Sequence, residues 1–564
     1  MPVRQHTVAP TVCLAAVGLF YPFASAQTPG GNPIDTLPVP QLPREQKADP
    51  NITILPSQLE TQPRRSLNVT PKRFQIEGVQ AIDFDEVANL FKPLAGQTVT
   101  VARIADVSRE VTALYKKQGY ALSFAFVPEQ DFKDGVVRIV AVEGYVATVK
   151  VEGDPGRADA KLREIAEHLQ QDRPLRLASF ERYTQLMAQM PGLRVEASAT
   201  PPTTTDGAGA LVLKIVRQPY LVALATDLRG GKPRVVATGI LNDPFTGGSR
   251  LTASTLIGAL AGEHFGAASY SQVVGSEGLT LKAEMSIYRG NPDAALDTPP
   301  LIQRETDYKR LEFSALYPLK LTRSESLYLS GGIYGVGNAD NYLNPTNGVR
   351  LTDEVNVRAV YAQASYSRAD DNQSQSLSLR LTHGLTSLGA GSSIRANVPG
   401  PLPTNPARLD FTRLLVEGSQ RNRWGKDWGT AVSFMVQHTP HSLPSTERVS
   451  FGSTKFARAY AAGEVSGDSG WGVAAEVNRS FALDMPYLRQ VTPYVLLESA
   501  RVTTHTGTFS PSKLQSASLG VRVSDNKYFT VDVAASKPLG DATLSNPDRK
   551  IRLSALVSYN FGQN

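Results

Sequence analysis

One cysteine, Cys13, is all the thiol chemistry in 564 residues, and it lies in an apolar run near the N-terminus. The rest of the chain therefore carries no disulfide staple and no cysteine-ligated metal. Long hydrophobic runs are also missing. No window offers the roughly 18 apolar residues of a spanning helix, so a bilayer could be crossed only by a closed β-barrel, which satisfies its own backbone in lipid. Charge of one sign is scarce: 58 Lys+Arg stand against 52 Asp+Glu, and an excess this diffuse gives no basic face for nucleic acid. No nucleotide loop is present, because Gly230-Gly231-Lys232 lacks both the spaced first glycine and the following Ser/Thr. No cofactor is implied.

Arg4 and His6 precede an apolar stretch from Val12 to Phe23, and Ala24-Ser25-Ala26 makes a small-residue cleavage site before Gln27. This reads as a secretory signal peptide over residues 1–26. Residues 27–71 carry prolines at 29, 33, 38, 40, 43, 50, 56, 63 and 71. They read as an extended linker in which no long helix is supported.

Residues 72–145 change character. A short strand from Arg73 that ends at Gly78 leads to a helix from Phe84 to Leu94, opened by Asp83 as N-cap. A second helical pattern runs through Ile104, Val107, Val111, Leu114 and Tyr115 and stops at Gly119. Strands follow at 121–127 and 136–142. Residues 146–218 repeat the order with strands at 147–151, 193–199 and 210–216 and helices at 158–169 and 179–190. From Leu221 to Phe561 the helical period is gone and period-2 alternation takes over. It is clearest in Leu279-Leu281-Ala283-Met285-Ile287, Leu377-Leu379-Leu381, Phe529-Val531-Val533 and Ile551-Leu553-Ala555-Val557-Tyr559-Phe561, with polar residues between. An apolar face backed by a polar one, on segments near ten residues long, is the lipid-out, water-in pattern of a transmembrane barrel. About sixteen such segments fit between residues 221 and 561.

One stretch breaks the alternation. Residues 455–472, KFARAYAAGEVSGDSGWG, are Gly- and Ala-rich with a lone Arg458, and a long ordered loop between strands is usually functional. Gly467-Asp468-Ser469-Gly470 also looks like the nucleophile motif of chymotrypsin-type proteases, but nothing in the context supplies its His and Asp. His438 and His441 form a close pair without a third metal ligand nearby.

The parts together resemble the two-partner secretion transporters, the outer-membrane exporters of haemolysins and filamentous haemagglutinins. The repeated strand-helix-helix-strand-strand unit resembles the POTRA domain, supported by Gln130-Asp131, Gly135, Glu143-Gly144 and Pro191-Gly192. The resemblance implies a mainly β fold, with two periplasmic POTRA domains (72–145 and 146–218) ahead of a barrel of about 16 strands over 219–564. It implies a re-entrant loop over 442–470, its tip represented by Ala457-Arg458-Ala459-Tyr460 and its C-terminal limb by Gly467, Asp468, Gly470 and Trp471. The family pairs its loop arginine with an aspartate in Phe-x-Asp-x-Gly on an inward strand face. At the matching place stand Tyr494, Leu496, Glu498 and Ala500, so an Arg458–Glu498 pair is expected. The implied location is a Gram-negative outer membrane, and the implied role is nucleotide-free export of a large partner (adhesin, haemolysin or toxin). The partner's N-terminal secretion domain would be caught by the POTRA domains through β-augmentation. Membrane lipid and the barrel-assembly machinery are the other partners implied, and nucleic acid is not. A barrel-assembly insertase, a barrel protease or lipase, and a porin are the alternatives.

Overall fold

In the computed structural model, residues 32–38, 66–228, 234–257, 262–291, 302–402, 404–453, 455–506, 512–543 and 545–561 are described. The signal peptide read over 1–26 lies outside them, as does most of the proline-rich stretch. Of that stretch, residues 32–38 form a 3₁₀ turn (Pro33–Thr36) inside the barrel, not an extended linker. Ile34 and Leu37 account for this, because they reach an apolar cluster of Tyr288, Tyr308, Tyr334, Val357 and Phe411 on the lumen wall.

The first α/β unit has a three-stranded sheet with Val136–Val142 at its centre, parallel to Arg73–Glu77 and antiparallel to Phe124–Phe126. Helices α1 (Phe84–Phe91) and α2 (Val101–Lys117) cover one face. Asp83 caps α1 through the N–H of Asp85, and Thr100 caps α2 through that of Arg103. Val87, Phe91, Ile104, Val111 and Tyr115 meet Ala125, Val137 and Ile139 in the core. The strand expected over 121–127 is only three residues long. Residues 119–122 are drawn the other way: Gly119 C=O accepts the Leu177 N–H at 2.7 Å, and Leu122 joins the core of the second unit.

That second unit repeats the plan. Ala208–Arg217 lies between Tyr145–Gly153 (parallel) and Leu193–Thr200 (antiparallel), under α3 (Asp159–Gln171) and α4 (Leu177–Ala188).

Sixteen strands then close an antiparallel barrel. They are β1 (Tyr220–Asp227), β2 (Arg234–Asn242), β3 (Ser249–Ile257), β4 (His264–Val274), β5 (Leu279–Gly290), β6 (Gln303–Leu321), β7 (Glu325–Leu343), β8 (Arg350–Ala369), β9 (Gln373–Gly384), β10 (Thr412–Trp424), β11 (Trp428–His438), β12 (Ser469–Arg479), β13 (Gln490–Thr503), β14 (Lys513–Ser524), β15 (Phe529–Pro538) and β16 (Arg552–Phe561). Two short strands, Gly391–Ala396 and Phe481–Ala482, extend the ladders of β8 and β13. β16 returns to β1 over a short register, Leu556↔Asp227 to Phe561↔Val222, whereas β7 and β8 pair from Glu325↔Arg368 to Leu343↔Arg350. Leu281, Met285 and Ile287 of β5 and Leu377, Leu379 and Leu381 of β9 point outward and are exposed. Lys282 and Glu284 between them pair on the inner face. The period of two thus sorts lipid-facing from lumen-facing side chains.

β1 leaves the second α/β unit directly, so the turns at 243–248 and 275–278 lie at that end of the barrel. The unit is bolted to them. Arg182 Nη2 donates to Glu277 Oε2 at 2.9 Å and Tyr183 OH to Glu277 Oε1 at 2.8 Å. His168 Nε2 meets Ser276 Oγ at 2.8 Å while its ring stacks on Tyr183. Tyr328 OH of β7 donates to Gln189 at 2.9 Å. Between α4 and the lumen wall lies a cavity of about 860 Å³, lined by Met190 and Pro191 on one side and Thr252, Ser269, Thr280 and Ser314 on the other.

Candidate functional site: the re-entrant loop

The loop leaves β11 at His438 and rejoins the wall at β12. Its two limbs pair as a small hairpin, Val449–Phe451 against Val465–Gly467. Phe451, Ala457, Ala459, Tyr460 and Val465 bury themselves against Ala500, Val502 and Leu514 of β13 and β14. This burial accounts for the small residues of the stretch, since larger ones would not fit between hairpin and wall. At the tip Phe456 and Ala457 both take left-handed backbone angles, φ 60° and 65°. Such angles in non-glycine residues persist only where surrounding contacts over-determine them. Gly452 N–H to Phe456 C=O (3.0 Å) and Tyr460 N–H to Ala457 C=O (3.1 Å) supply those contacts.

Arg458 points from this tip into a network of charges with an exposure of only 11%. Its Nη1 donates to Asp532 Oδ1 at 3.0 Å and its Nη2 to Asp532 Oδ2 at 3.3 Å, a bidentate pair with β15. Its Nη1 also hydrogen-bonds the Tyr494 hydroxyl, which itself donates to Asp532 at 2.7 Å. Arg522 of β14 completes the set: it donates to Asp532 Oδ2 at 3.2 Å and to Glu476 of β12 at 2.7 Å, with its guanidinium 4.1 Å above the Tyr494 ring. Two cations therefore face two carboxylates across one phenol, with a third carboxylate, Glu498, at the main chain of the tip.

The expected Arg458–Glu498 side-chain pair is not what forms. Glu498 is spent on the loop's backbone: its Oε2 accepts the Arg458 N–H at 2.6 Å and the Ser516 hydroxyl at 2.7 Å. With that carboxylate occupied at the main chain, the guanidinium reaches past it to Asp532. Ala500 stands where the family has glycine; here Gly520, opposite Tyr494 in the β13–β14 ladder, provides the close approach. A Cβ at Gly520 would fall on the Tyr494 phenol. Asp532 and Gly520 were missed by sequence reasoning. The available signal was strand parity, which interleaves Asp532 with the outward Val531 and Val533.

The remaining candidate residues divide by location. Tyr460 holds the far side of the tip, donating to the Asp541 carbonyl at 3.1 Å and accepting the Gly540 N–H at 3.1 Å. Asp468 is fully buried and ties both limbs together, accepting from Leu443 N–H and His505 N–H at 2.8 Å each and from Arg448 Nε at 3.2 Å. Gly467 and Gly470 lie flat against β13, where a Cβ would meet the Thr503 and Arg501 carbonyls. Trp471 points outward at the barrel surface. Ser469 bonds the main chain of Thr439, and His441 Nδ1 accepts the Thr412 N–H.

The residues singled out in the α/β units do not form one surface. Gln130 brackets Arg138, accepting its N–H at 2.8 Å and donating to its C=O at 2.9 Å. Asp131 pairs with Lys133 in the exposed turn that contains Gly135. Glu143 Oε1 gathers Gln80 N–H, Ala81 N–H and Tyr115 OH. Gly144 abuts the Leu122 backbone, Pro191 lines the barrel-mouth cavity, and Gly192 C=O accepts the Gln218 N–H at the junction with the barrel.

Family models match in two places: a POTRA domain of ShlB type over residues 69–144, and the haemolysin secretion/activation protein ShlB/FhaC/HecB over 266–523. The chain belongs to the two-partner secretion transporter family. Its barrel accordingly lies in the outer membrane, with the POTRA domains in the periplasm. The outer membrane transporter CdiB of Escherichia coli is 31% identical over 108 residues, 19% of this chain and 18% of that protein. The heme/hemopexin transporter protein HuxB of Haemophilus influenzae is 20% identical over 510 residues, 85% of this chain and 86% of its own. Among solved structures, CdiB from Escherichia coli superposes with a TM-score of 0.68 at 18% identity, covering 92% of this chain and 94% of its own. CdiB from Acinetobacter baumannii gives 0.58 at 14% identity, covering 97% of each. BamA from Haemophilus ducreyi lacking POTRA domains 1–3 gives 0.51 at 15% identity, covering 88% of this chain and all of that one. These likenesses establish the shared fold.

Proposed function

We propose that this protein exports a large partner polypeptide from the periplasm to the cell surface, with no nucleotide and no chemistry of its own. The observation that carries this reading is the loop folded back into the lumen and locked there by Arg458 on Asp532. A transporter needs a structure that keeps the resting barrel sealed and can be displaced by cargo. The functional division we propose is a proline-rich stretch over 27–71 that is a periplasmic linker apart from its lumen-seated residues 32–38, POTRA domains over 72–145 and 146–218, and a barrel over 219–564 with its re-entrant loop over 442–470.

Recognition takes place on the POTRA sheets, where an extended segment of the partner adds as an edge strand. Main-chain hydrogen bonds then give affinity, and alternate side chains give selectivity. The adjoining cavity, walled by hydroxyls at Thr252, Ser269, Thr280 and Ser314, gives an extended chain sliding contacts without a strong anchor. The partner is a secreted adhesin, haemolysin or toxin. The test is to look beside this gene for one that encodes a large exported polypeptide, and to follow surface display of that product in cells with and without the transporter. Loss of display on deletion, restored by the wild-type gene but not by Arg458→Ala, is the expected result. Display unchanged by the deletion would overturn the reading.

A further inference from the structure

The tip is not the loop's only ionic attachment. Before the hairpin begins, the loop makes a 3₁₀ turn, Ser445–Glu447, and sends Glu447 toward the opposite wall. The Glu447 side chain is 2% exposed. Its Oε2 accepts the Tyr334 hydroxyl of β7 at 2.9 Å and pairs with Arg413 Nη2 of β10 at 3.1 Å. The backbone is gripped at the same point, since Glu447 C=O accepts from Arg413 Nη1 at 2.8 Å and from Gln437 Nε2 at 3.1 Å. Gln437 Nε2 also donates to the Asp468 carbonyl at 2.9 Å, so one β11 amide holds both limbs of the loop. Arg310 lies over the Tyr334 ring at 4.1 Å.

This cluster shares no residue with the tip network. Tyr334 on β7 and Asp532 on β15 are eight strands apart in a barrel of sixteen, which places them on facing walls. The polarity is also reversed. At the tip the loop offers a guanidinium to a wall carboxylate, and at the base it offers a carboxylate to a wall guanidinium. Glu447 Oε1 and Arg413 Nε are buried and make no hydrogen bond. A charged pair that is buried and incompletely satisfied by protein groups costs stability, so packing alone does not explain its presence.

We propose that Glu447 is a second positioning residue of the transporter. Through Arg413 and Tyr334 it clamps the base of the re-entrant loop to the β7–β10 wall, independently of Arg458, so that the loop spans the lumen as a strut fixed at both ends. The consequence for export rests on the reading above; the clamp itself does not.

Ser453 near the tip is 2% exposed and its hydroxyl has no partner, which makes Ser453→Cys a mild reporter substitution. In a Cys13→Ser background it is the sole thiol. Maleimide labelling of the purified barrel then reads how often the loop leaves its seat. Glu447→Gln and Arg458→Ala should each label about tenfold faster than the parent, as a locally opened state becomes more populated. The double variant should show about the product of the two effects, because the anchors are separate. Glu447→Arg should label fast, and adding Arg413→Glu should return the rate to within about twofold of the parent. Heat-modifiable gel mobility confirms that each barrel is assembled, and the exchanged pair keeps the test open if Glu447→Gln alone assembles poorly. Parental labelling in Glu447→Gln, a double variant no faster than Arg458→Ala, or no restoration by the exchange would each overturn the clamp. If labelling behaves as stated while the wild-type chain displays no partner, the clamp stands and the export reading fails.

Discussion

Asp532 and Glu498 stand beside the same arginine and do different work. Asp532 faces the guanidinium, so Asp532→Asn leaves a buried cation without its carboxylate, a loss of about 3–5 kcal/mol for a pair this enclosed. Glu498 accepts an N–H and a hydroxyl, and the amide oxygen of Glu498→Gln can accept both, so about 1 kcal/mol is at stake. We expect Asp532→Asn to reduce surface export as severely as Arg458→Ala, and Glu498→Gln to reduce it much less, with all three barrels assembled. Equal losses for Asp532→Asn and Glu498→Gln would show that the guanidinium's partner is misassigned. What the sequence disclosed here was partial. Alternation put both carboxylates on inward faces, but which one meets Arg458 depends on how the tip seats across β13, β14 and β15. That seating is a product of barrel closure and carries no local signal. Gly520 is similar, since nothing nearby in sequence announces that Tyr494 lies across it. Glu447 carries no local signal either, because its partner Arg413 lies on a separate strand.

Among elements, legibility followed the length and purity of the period. β5, β9, β15 and β16 showed themselves because lipid outside and water inside enforce strict alternation, and sixteen strands follow from repeating it. The α/β repeats were readable from caps and helical spacing. The strand at 121–127 was overextended because residues 119–122 are claimed by the second unit, a tertiary preference that no window of sequence contains. On β5 the two faces lead to opposite expectations at adjacent positions. Leu281→Arg puts charge against lipid and should cost about 2–4 kcal/mol near the midplane. Lys282→Leu forfeits only a half-exposed pair with Glu284, worth about 0–1 kcal/mol. Urea unfolding in lipid vesicles, followed by gel mobility, would separate them, and comparable destabilisation by the two would reverse the face assignment. The POTRA edges allow a similar contrast. Leu193–Thr200 presents eight residues for a partner strand and Phe124–Phe126 only three. Proline in the longer edge removes a donor from a longer ladder, so it should weaken capture of the partner's secretion domain more, as read by pull-down. The reverse order would move recognition to the first unit.

At the scale of the whole molecule, the question is what fixes the POTRA module beneath the barrel mouth. Glu277, in the turn between β4 and β5, is the centre of that joint, with Arg182, Tyr183 and His168 all facing it. Burial by itself would raise its carboxyl. The hydrogen bonds from Tyr183 and Arg182 and the Arg182 charge outweigh that and hold it below its ordinary 4.5. The docked state therefore binds fewer protons than the undocked one, and docking strengthens as pH rises. Glu277's contribution is complete above pH 4.5, where the carboxyl is ionised in both states, and fades as pH falls through the depressed value. Glu277 is partly open to solvent, so screening limits this contribution to about 1 kcal/mol. Spin labels on the second POTRA domain and on the barrel rim would report the joint as an inter-label distance distribution. At neutral pH the wild type should give one narrow distance, and it should broaden well below pH 4.5. Glu277→Gln, which cannot ionise, should be broader at neutral pH and show less change on acidification. The turns at 243–248, where Arg157 donates to the Asp243 carbonyl at 2.9 Å, should keep the module attached in both cases. A wild-type distribution that stays narrow at low pH, or a Glu277→Gln distribution as narrow as wild type at neutral pH, would mean that the joint is held by apolar contacts and main-chain bonds, and that Glu277 is a bystander within it.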